Sequence, residues 1–200
     1  MATKPLEGLN EPLEFVPDTT SKRKKGAYKP QYASVFAQEG EVRDGCARVH
    51  LLVNPFSGKK KGRTIAARVV ELVEQAGVEI SCSYSAYSGH LVTMASALVV
   101  EAGDIVAVVG GDGSLSEVIT GRMLLGKATK ETFAIVPAGT GNSQAHDLHV
   151  DSVETAVSAM LSGRTQALDL ARVELTEGLP GSTGDSLVRY SHNLVTWGLG

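Results

Sequence analysis

Five apolar residues, Ile105 to Val109, run without a break into Gly110-Gly111-Asp112-Gly113. A strand with no polar alternation must be buried on both faces, which places it in the middle of a parallel sheet covered by helices. The glycines turn the chain sharply out of that strand. Residues from about Ser114 to Leu125 then read as a helix.

The same strand–loop–helix unit recurs on both sides. Arg48 to Val53 is a short apolar strand, and a glycine-bracketed basic loop, Asn54 to Gly62, follows it. Thr64 to Ala76 carries Ile65, Val69, Leu72, Val73 and Ala76 at helical spacing, with Gly77 as the stop. Val78, Ile80, Cys82 and Tyr84 alternate, as in a half-buried strand. His90 to Ala102 reads as a helix ended by Gly103, and Phe133 to Val136 as another strand. Asp151 with Glu154 resembles a capping box opening a helix that runs to Leu161 and stops at Gly163. This alternation predicts an α/β fold with a mostly parallel sheet covered on both faces. Beyond Leu168 the texture changes. Leu168 to Leu175 and Leu187 to Trp197 read as strands joined by a Gly/Pro/Ser-rich loop with no helix between them, which predicts antiparallel pairing.

Bulk properties exclude some functions. With 22 acidic against 19 basic side chains the net charge is −3, so no global field draws in nucleic acid. No apolar run approaches the roughly 20 residues of a membrane span, and the N-terminal stretch lacks the apolar core of a signal peptide. The expectation is a cytoplasmic protein whose cysteines, Cys46 and Cys82, stay reduced.

Chemistry concentrates at three strand ends, where open α/β sheets bind ligands. They are Asn54-Pro55-Phe56-Ser57-Gly58, Gly110-Gly111-Asp112-Gly113-Ser114 and Pro137-Ala138-Gly139-Thr140-Gly141-Asn142. Glycines let backbone approach a phosphate and offer unshielded N–H groups, and a following helix adds the positive end of its dipole. Tight turns alone would explain the glycines, but not Asp112. A carboxylate placed where anions bind needs a use, either holding magnesium or accepting a proton from an attacking hydroxyl. Lys59, Lys60, Lys61 and Arg63 either neutralise phosphates, face an anionic membrane, or are simply solvated. Their spacing is not that of a P-loop. His146, Asp147 and His149 do not make a zinc set. His90 reads as capping or packing a helix, and Trp197 as a core anchor.

The motifs NPFSGKKKGR, GGDGSLSEVITG and PAGTGNSQA resemble the catalytic domain shared by sphingosine, diacylglycerol and ceramide kinases, over roughly His50 to Leu175. NAD kinases and phosphofructokinases share a Gly-Gly-Asp-Gly run, but not the first and third loops. The resemblance implies an α/β nucleotide domain over 47–167 and the start of a β-rich lipid-binding sandwich over 168–200. A flexible polar region, 1–46, with the basic run Lys22-Arg23-Lys24-Lys25, precedes them. It implies ATP with Mg2+, a lipid acceptor and a peripheral membrane surface, with no metal ligands assigned to the protein itself. Asp112 would be the general base. Asn54, Ser57, Gly58, Ser85, Gly111, Gly113, Glu117, Gly139, Thr140 and Gly141 would contact nucleotide, and Asn142 would brace its loop. Ser85 and Ser114 stand where the family commonly has threonine. Tyr190 to Gly200 is similar to the segment of sphingosine kinases that leads to an acidic lipid contact, which favours a sphingoid base over diacylglycerol or ceramide. The chain ends inside that strand-like stretch, so a longer natural protein is expected.

Overall fold

The computed structural model describes residues 41–42, 46–126, 131–176 and 186–193. In chain order they form β1 (Glu41–Val42), β2 (Arg48–Val53), α1 (Ser57–Lys60), α2 (Gly62–Gln75), β3 (Glu79–Tyr84), α3 (His90–Ala97), β4 (Ile105–Gly110), α4 (Asp112–Met123), β5 (Thr132–Pro137), α5 (Ser143–Asp147), α6 (Val153–Leu161), β6 (Arg164–Thr165), β7 (Ala171–Thr176) and β8 (Ser186–Ser191). Four of the strands build one sheet in the order β3-β2-β4-β5, with every pairing parallel. β4 is buried along its whole length, as its unbroken apolar run requires. β3 lies at an edge and alternates exposed with half-buried residues, as its period-two pattern predicts.

The first crossover, through α2, carries the chain outward from β2 to β3. The second, through α3, brings it back past β2 to β4, and the third, through α4, continues to β5. Right-handed crossovers place α2 on one face and α3 and α4 on the other. Accordingly α3 packs against α4, and α2 against α6. The strand order reverses between β2 and β4, which opens a crevice beyond their C-terminal ends. The registers match Val53 with Tyr84 and Val109, and Gly110 with Pro137, so the loops after all four strands leave the sheet at one level.

Several boundaries differ from the sequence reading, each for a local reason. Helix α3 ends at Ala97 because Leu98 adopts extended backbone (φ −66°, ψ 138°), although the apolar spacing continues. The capping box of α6 sits one residue later than expected. Ser152 Oγ accepts the Thr155 N–H at 3.1 Å and Thr155 Oγ1 accepts the Ser152 N–H at 2.9 Å, whereas Asp151 is taken by His146. Helix α4 begins at Asp112, two residues before the apolar pattern starts. Inside the polar region expected to be flexible, Glu41–Val42 pairs antiparallel with Arg164–Thr165. The expected antiparallel pair beyond Leu168 is β7–β8. The basic run 22–25 and Trp197 lie outside the described residues.

Two buried polar clusters tie the layers together. The Arg122 guanidinium, 4% exposed, donates to the carbonyls of Ala95 (2.9 Å) and Leu98 (2.7 Å) and pairs with Glu131. It thereby adds a second donor to Ala95, whose carbonyl also accepts the Leu98 N–H, and holds the C-cap carbonyl of Leu98. On the other side, His50 bridges Ser81 Oγ (3.2 Å) and the Asp104 carboxylate (3.0 Å), which also accepts the Glu101 N–H. Burial works to raise the Asp104 carboxyl, but the Glu101 N–H and the His50 contact outweigh it and hold it below its ordinary value of 3.8. A depressed carboxyl stabilises the fold fully above its unfolded value, and that contribution is lost as pH falls through the folded one. Wild type should therefore be more stable than Asp104→Asn at pH 7, and the gap should narrow on acidification below about pH 4. Urea melts at both pH values check this; a gap that does not change with pH would contradict it.

Candidate functional site

The three glycine-containing loops meet over the crevice. Asn54 continues the sheet by donating its N–H to the Val109 carbonyl (3.0 Å), and its Oδ1 accepts the Phe56 N–H (3.0 Å), which turns the chain. Its Nδ2 lies 3.4 Å from Ser114 Oγ in the second loop. A Cβ placed on Gly58 would stand 3.0 Å from the Ala138 carbonyl of the third loop, and one on Gly110 would stand 3.7 Å from Ser57 Oγ. The second and third loops touch through bare backbone, because a Cβ on Gly139 would lie 2.6 Å from the Gly111 Cα. Asn142 braces the third loop from within. Its Oδ1 accepts the Gly139 N–H at 2.7 Å and its Nδ2 donates to the Gly139 carbonyl at 3.0 Å. Asn142 has φ 52°, a left-handed conformation that asparagine adopts more readily than most residues.

Asp112 stands at the centre. Its Oδ2 accepts the Ser143 N–H and its Oδ1 the Gln144 N–H, both at 2.9 Å. The carboxylate thus caps the opening turn of α5, a short helix that the sequence reading did not anticipate. Each oxygen keeps a second lone pair free. In the first turn of α4 the Ser114 and Leu115 N–H groups donate to the Gly111 carbonyl (2.9 and 3.1 Å), which leaves those of Asp112 and Gly113 ahead of the helical ladder. Gly113 and Gly141 have no packing reason to be glycine. A Cβ on Gly113 would meet nothing within 4 Å, and one on Gly141 would make only an ordinary 3.8 Å contact with Asp112 Oδ2.

Beside this centre is a cavity of about 200 Å³ lined by Asn54, Phe56, Ser85, Tyr87, Ser88, Leu91 and Glu117. Asn54, Ser85 and Glu117, which lie far apart in sequence, share its wall. Ser85 is buried and donates its N–H to the Val53 carbonyl, while Glu117 accepts the Gly89 N–H at 3.3 Å. Phe56 of the first motif (63% exposed) and Tyr87 (62%) add aromatic surface to which the sequence reading gave no role. Tyr87 stacks on His90 at 4.5 Å, and His90 Nδ1 faces the Ala86 N–H, so His90 fixes the loop before α3. Thr140 lies exposed at the tip of the third loop. Two further residues of the centre carried no sequence signal for a role there. Gln144 lies within the PAGTGNSQA motif but was given no role, and the buried His192 directly follows β8.

The basic residues separate in the structure. Arg63 lies over the Tyr84 ring, 4.5 Å from its centroid. Lys59 and Lys60 are exposed and adopt φ 58° and 71°, continuing the left-handed turn begun by Gly58.

Parallel strands, a switch-point crevice and bare backbone loops define a doubly wound α/β protein with its crevice between β2 and β4. Residues 48–173 match the diacylglycerol kinase catalytic domain, and the chain belongs to that family. It is 31% identical over 130 residues to sphingosine kinase B of Dictyostelium discoideum, covering 64% of this chain and 17% of that protein. It is 27% identical over 146 residues to a diacylglycerol kinase of Staphylococcus saprophyticus, covering 72% and 47%. Sphingosine kinase 2 of Arabidopsis thaliana is 32% identical over 136 residues, 63% of this chain and 28% of that one. The chain thus spans less than half the length of these relatives. A solved structure from Bacillus anthracis str. Sterne, described as a diacylglycerol kinase, shares the fold with a TM-score of 0.50 at 23% identity, over 64% of this chain and 44% of that one.

The left-handed backbone of Lys59 and Lys60 costs each residue about 1–2 kcal/mol, against roughly 0.5–1 kcal/mol of extra chain entropy for glycine. Lys59→Gly and Lys60→Gly should therefore each raise stability by about 0.5–1 kcal/mol, read by urea denaturation. Destabilisation by either would show that the lysine side chains hold the turn.

Proposed function

We propose that this chain is the nucleotide-binding half of an ATP-dependent lipid kinase that transfers the γ-phosphoryl group to a lipid hydroxyl, with a sphingoid base as acceptor. The observation that carries the reading is the crevice itself. Two glycines there, Gly113 and Gly141, are bare for no reason of packing, and they flank a carboxylate fixed by two N–H groups. Backbone left uncovered in this way suits phosphate oxygens, which the open N–H groups at the start of α4 favour. The neighbouring cavity, with aromatic surface from Phe56 and Tyr87 and polar atoms from Asn54, Ser85 and Glu117, suits a nucleoside. Ser57, Gly58, Gly111, Gly139 and Thr140 would border the phosphates.

In this mechanism the lipid hydroxyl oxygen bonds to the γ-phosphorus, the bond from that phosphorus to the β–γ bridging oxygen breaks, and the hydroxyl proton passes to Asp112. The carboxylate is suited to the task because both oxygens are held in place while each retains a lone pair. The donor set also fits magnesium. Asp112 offers a carboxylate at the crevice, and magnesium is normally held by one or two carboxylates together with substrate phosphates. When bound with ATP, the ion supplies charge neutralisation at the transferring phosphoryl group.

The sphingoid assignment rests on the similarity of Tyr190 to Gly200 to sphingosine kinases. Diacylglycerol is the second reading, because relatives named for it match over the same domain. Among the described residues no helix is long and apolar enough to cross a membrane, so the acceptor would be met from a peripheral position on the lipid surface.

The test is γ-labelled ATP with magnesium and the full-length protein, presented with sphingosine, diacylglycerol and ceramide in mixed micelles. Label should enter sphingosine, and Asp112→Asn should abolish it. Asparagine can satisfy only one of the two α5 N–H groups, so this variant should also lose about 1.5–3 kcal/mol of stability while still binding nucleotide. Label in diacylglycerol alone would move the acceptor. Turnover retained in Asp112→Asn would remove Asp112 from the proton-accepting role.

A further inference from the structure

His192 belongs to none of the motifs, yet it closes a ring of hydrogen bonds through Asp112. Its Nε2 lies 3.2 Å from the Asp112 carbonyl oxygen, and its Nδ1 lies 3.0 Å from Gln144 Oε1. The Gln144 N–H in turn donates to Asp112 Oδ1. The imidazole, 7% exposed, and the Gln144 side chain, on a residue 4% exposed, are shielded from competing water. A carbonyl oxygen can only accept, so Nε2 carries a proton. Nδ1 faces a side-chain amide, which can present its oxygen or, turned over, its NH2 group. The ring can therefore close around either a charged or a neutral imidazole.

The strand that delivers His192 is itself anchored to α4. Tyr190, two residues earlier, donates its N–H to Thr120 Oγ1 (3.0 Å), and its carbonyl accepts from Ser116 Oγ (2.6 Å). The outer edge of β8 thus pairs with hydroxyls of the helix that Asp112 begins. We propose that His192 is a positioning residue, which locks the Asp112 peptide to Gln144 so that docking of the β7–β8 hairpin on α4 sets the orientation of the Asp112 carboxylate. Its consequence for turnover rests on the kinase reading above, whereas its geometric content does not.

The test compares wild type, His192→Leu, His192→Asn and His192→Gln in the full-length protein. Three quantities are read: hydrogen exchange at the Ser143 and Gln144 amides, the ATP dissociation constant, and kcat for lipid labelling. His192→Leu should speed exchange at those two amides by about tenfold relative to β4. It should lower kcat by about 10²-fold, the scale of a misplacement near 1 Å, and leave the ATP constant within about threefold. His192→Asn, which reaches only one of the two partners, should lose about tenfold in kcat, and it carries the test if the leucine variant does not fold. His192→Gln, which can still donate to the Asp112 carbonyl, should recover most of the rate and the protection. Wild-type exchange and kcat in His192→Leu, or in His192→Asn where that variant replaces it, would overturn the proposal. So would a parallel loss of ATP binding, kcat and Tm without rescue by glutamine, the mark of a packing role alone. If wild type labels no lipid, the kinase reading fails, and the exchange at Ser143 and Gln144 still decides for or against the positioning role.

Discussion

The backbone of Gly111 rests directly against that of Gly139, and the arrangement of the crevice depends on this approach. Either residue with a Cβ would push the second and third loops apart, since the added atom would stand 3.1 Å or 2.6 Å from the opposing Cα. With the loops in contact, Asp112 reaches the N–H groups of Ser143 and Gln144 and orders the first turn of α5. With α5 ordered, Gln144 reaches His192. A short chain of contacts, each possible only because the one before it is made, runs from two glycines to the strand on which the β-hairpin docks.

Helix α4 is the element through which these contacts are mechanically joined to the rest of the fold. Its N-terminus carries Asp112, its middle offers Ser116 and Thr120 to β8, and Arg122 in its last turn gathers the carbonyls of Ala95 and Leu98. Losing the guanidinium would leave the Glu131 carboxylate without its cation, a change of the kind that costs about 3–5 kcal/mol. A helix fastened at its end and along its side is a rigid lever. Rigidity of this kind is what the proposed role of Asp112 would require, because the position of a general base matters to a fraction of an ångström.

Much of this was legible in the chain. The buried centre of the sheet follows from Ile105–Val109, the edge strand from the alternation of Val78 to Tyr84, and the crevice from three glycine loops at successive strand ends. The cavity wall of Asn54, Ser85 and Glu117 was reached through the motifs, and the structure brings those residues together. What was not legible has a common cause. Helix α5 lacks apolar periodicity because it is held by Asp112, thirty-odd positions earlier, rather than by an amphipathic face of its own. The early end of α3 depends on a backbone rotation at Leu98 that apolar spacing cannot register. His192 has no local pattern, since its meaning comes from Gln144 and Asp112, 48 and 80 positions away.

The glycines of the crevice divide into two kinds, and the division bears on function. Gly111 and Gly139 are dictated by packing, so a fold with no ligand at all would need them. Gly113 and Gly141 are not, because the chain leaves room at both. Under the kinase reading proposed above, phosphate oxygens would occupy the room left at both. The carboxylate between them is held by the Ser143 and Gln144 N–H groups, one on each oxygen. Packing thus accounts for two of the four glycines, and the other two are the ones that only the proposed function explains.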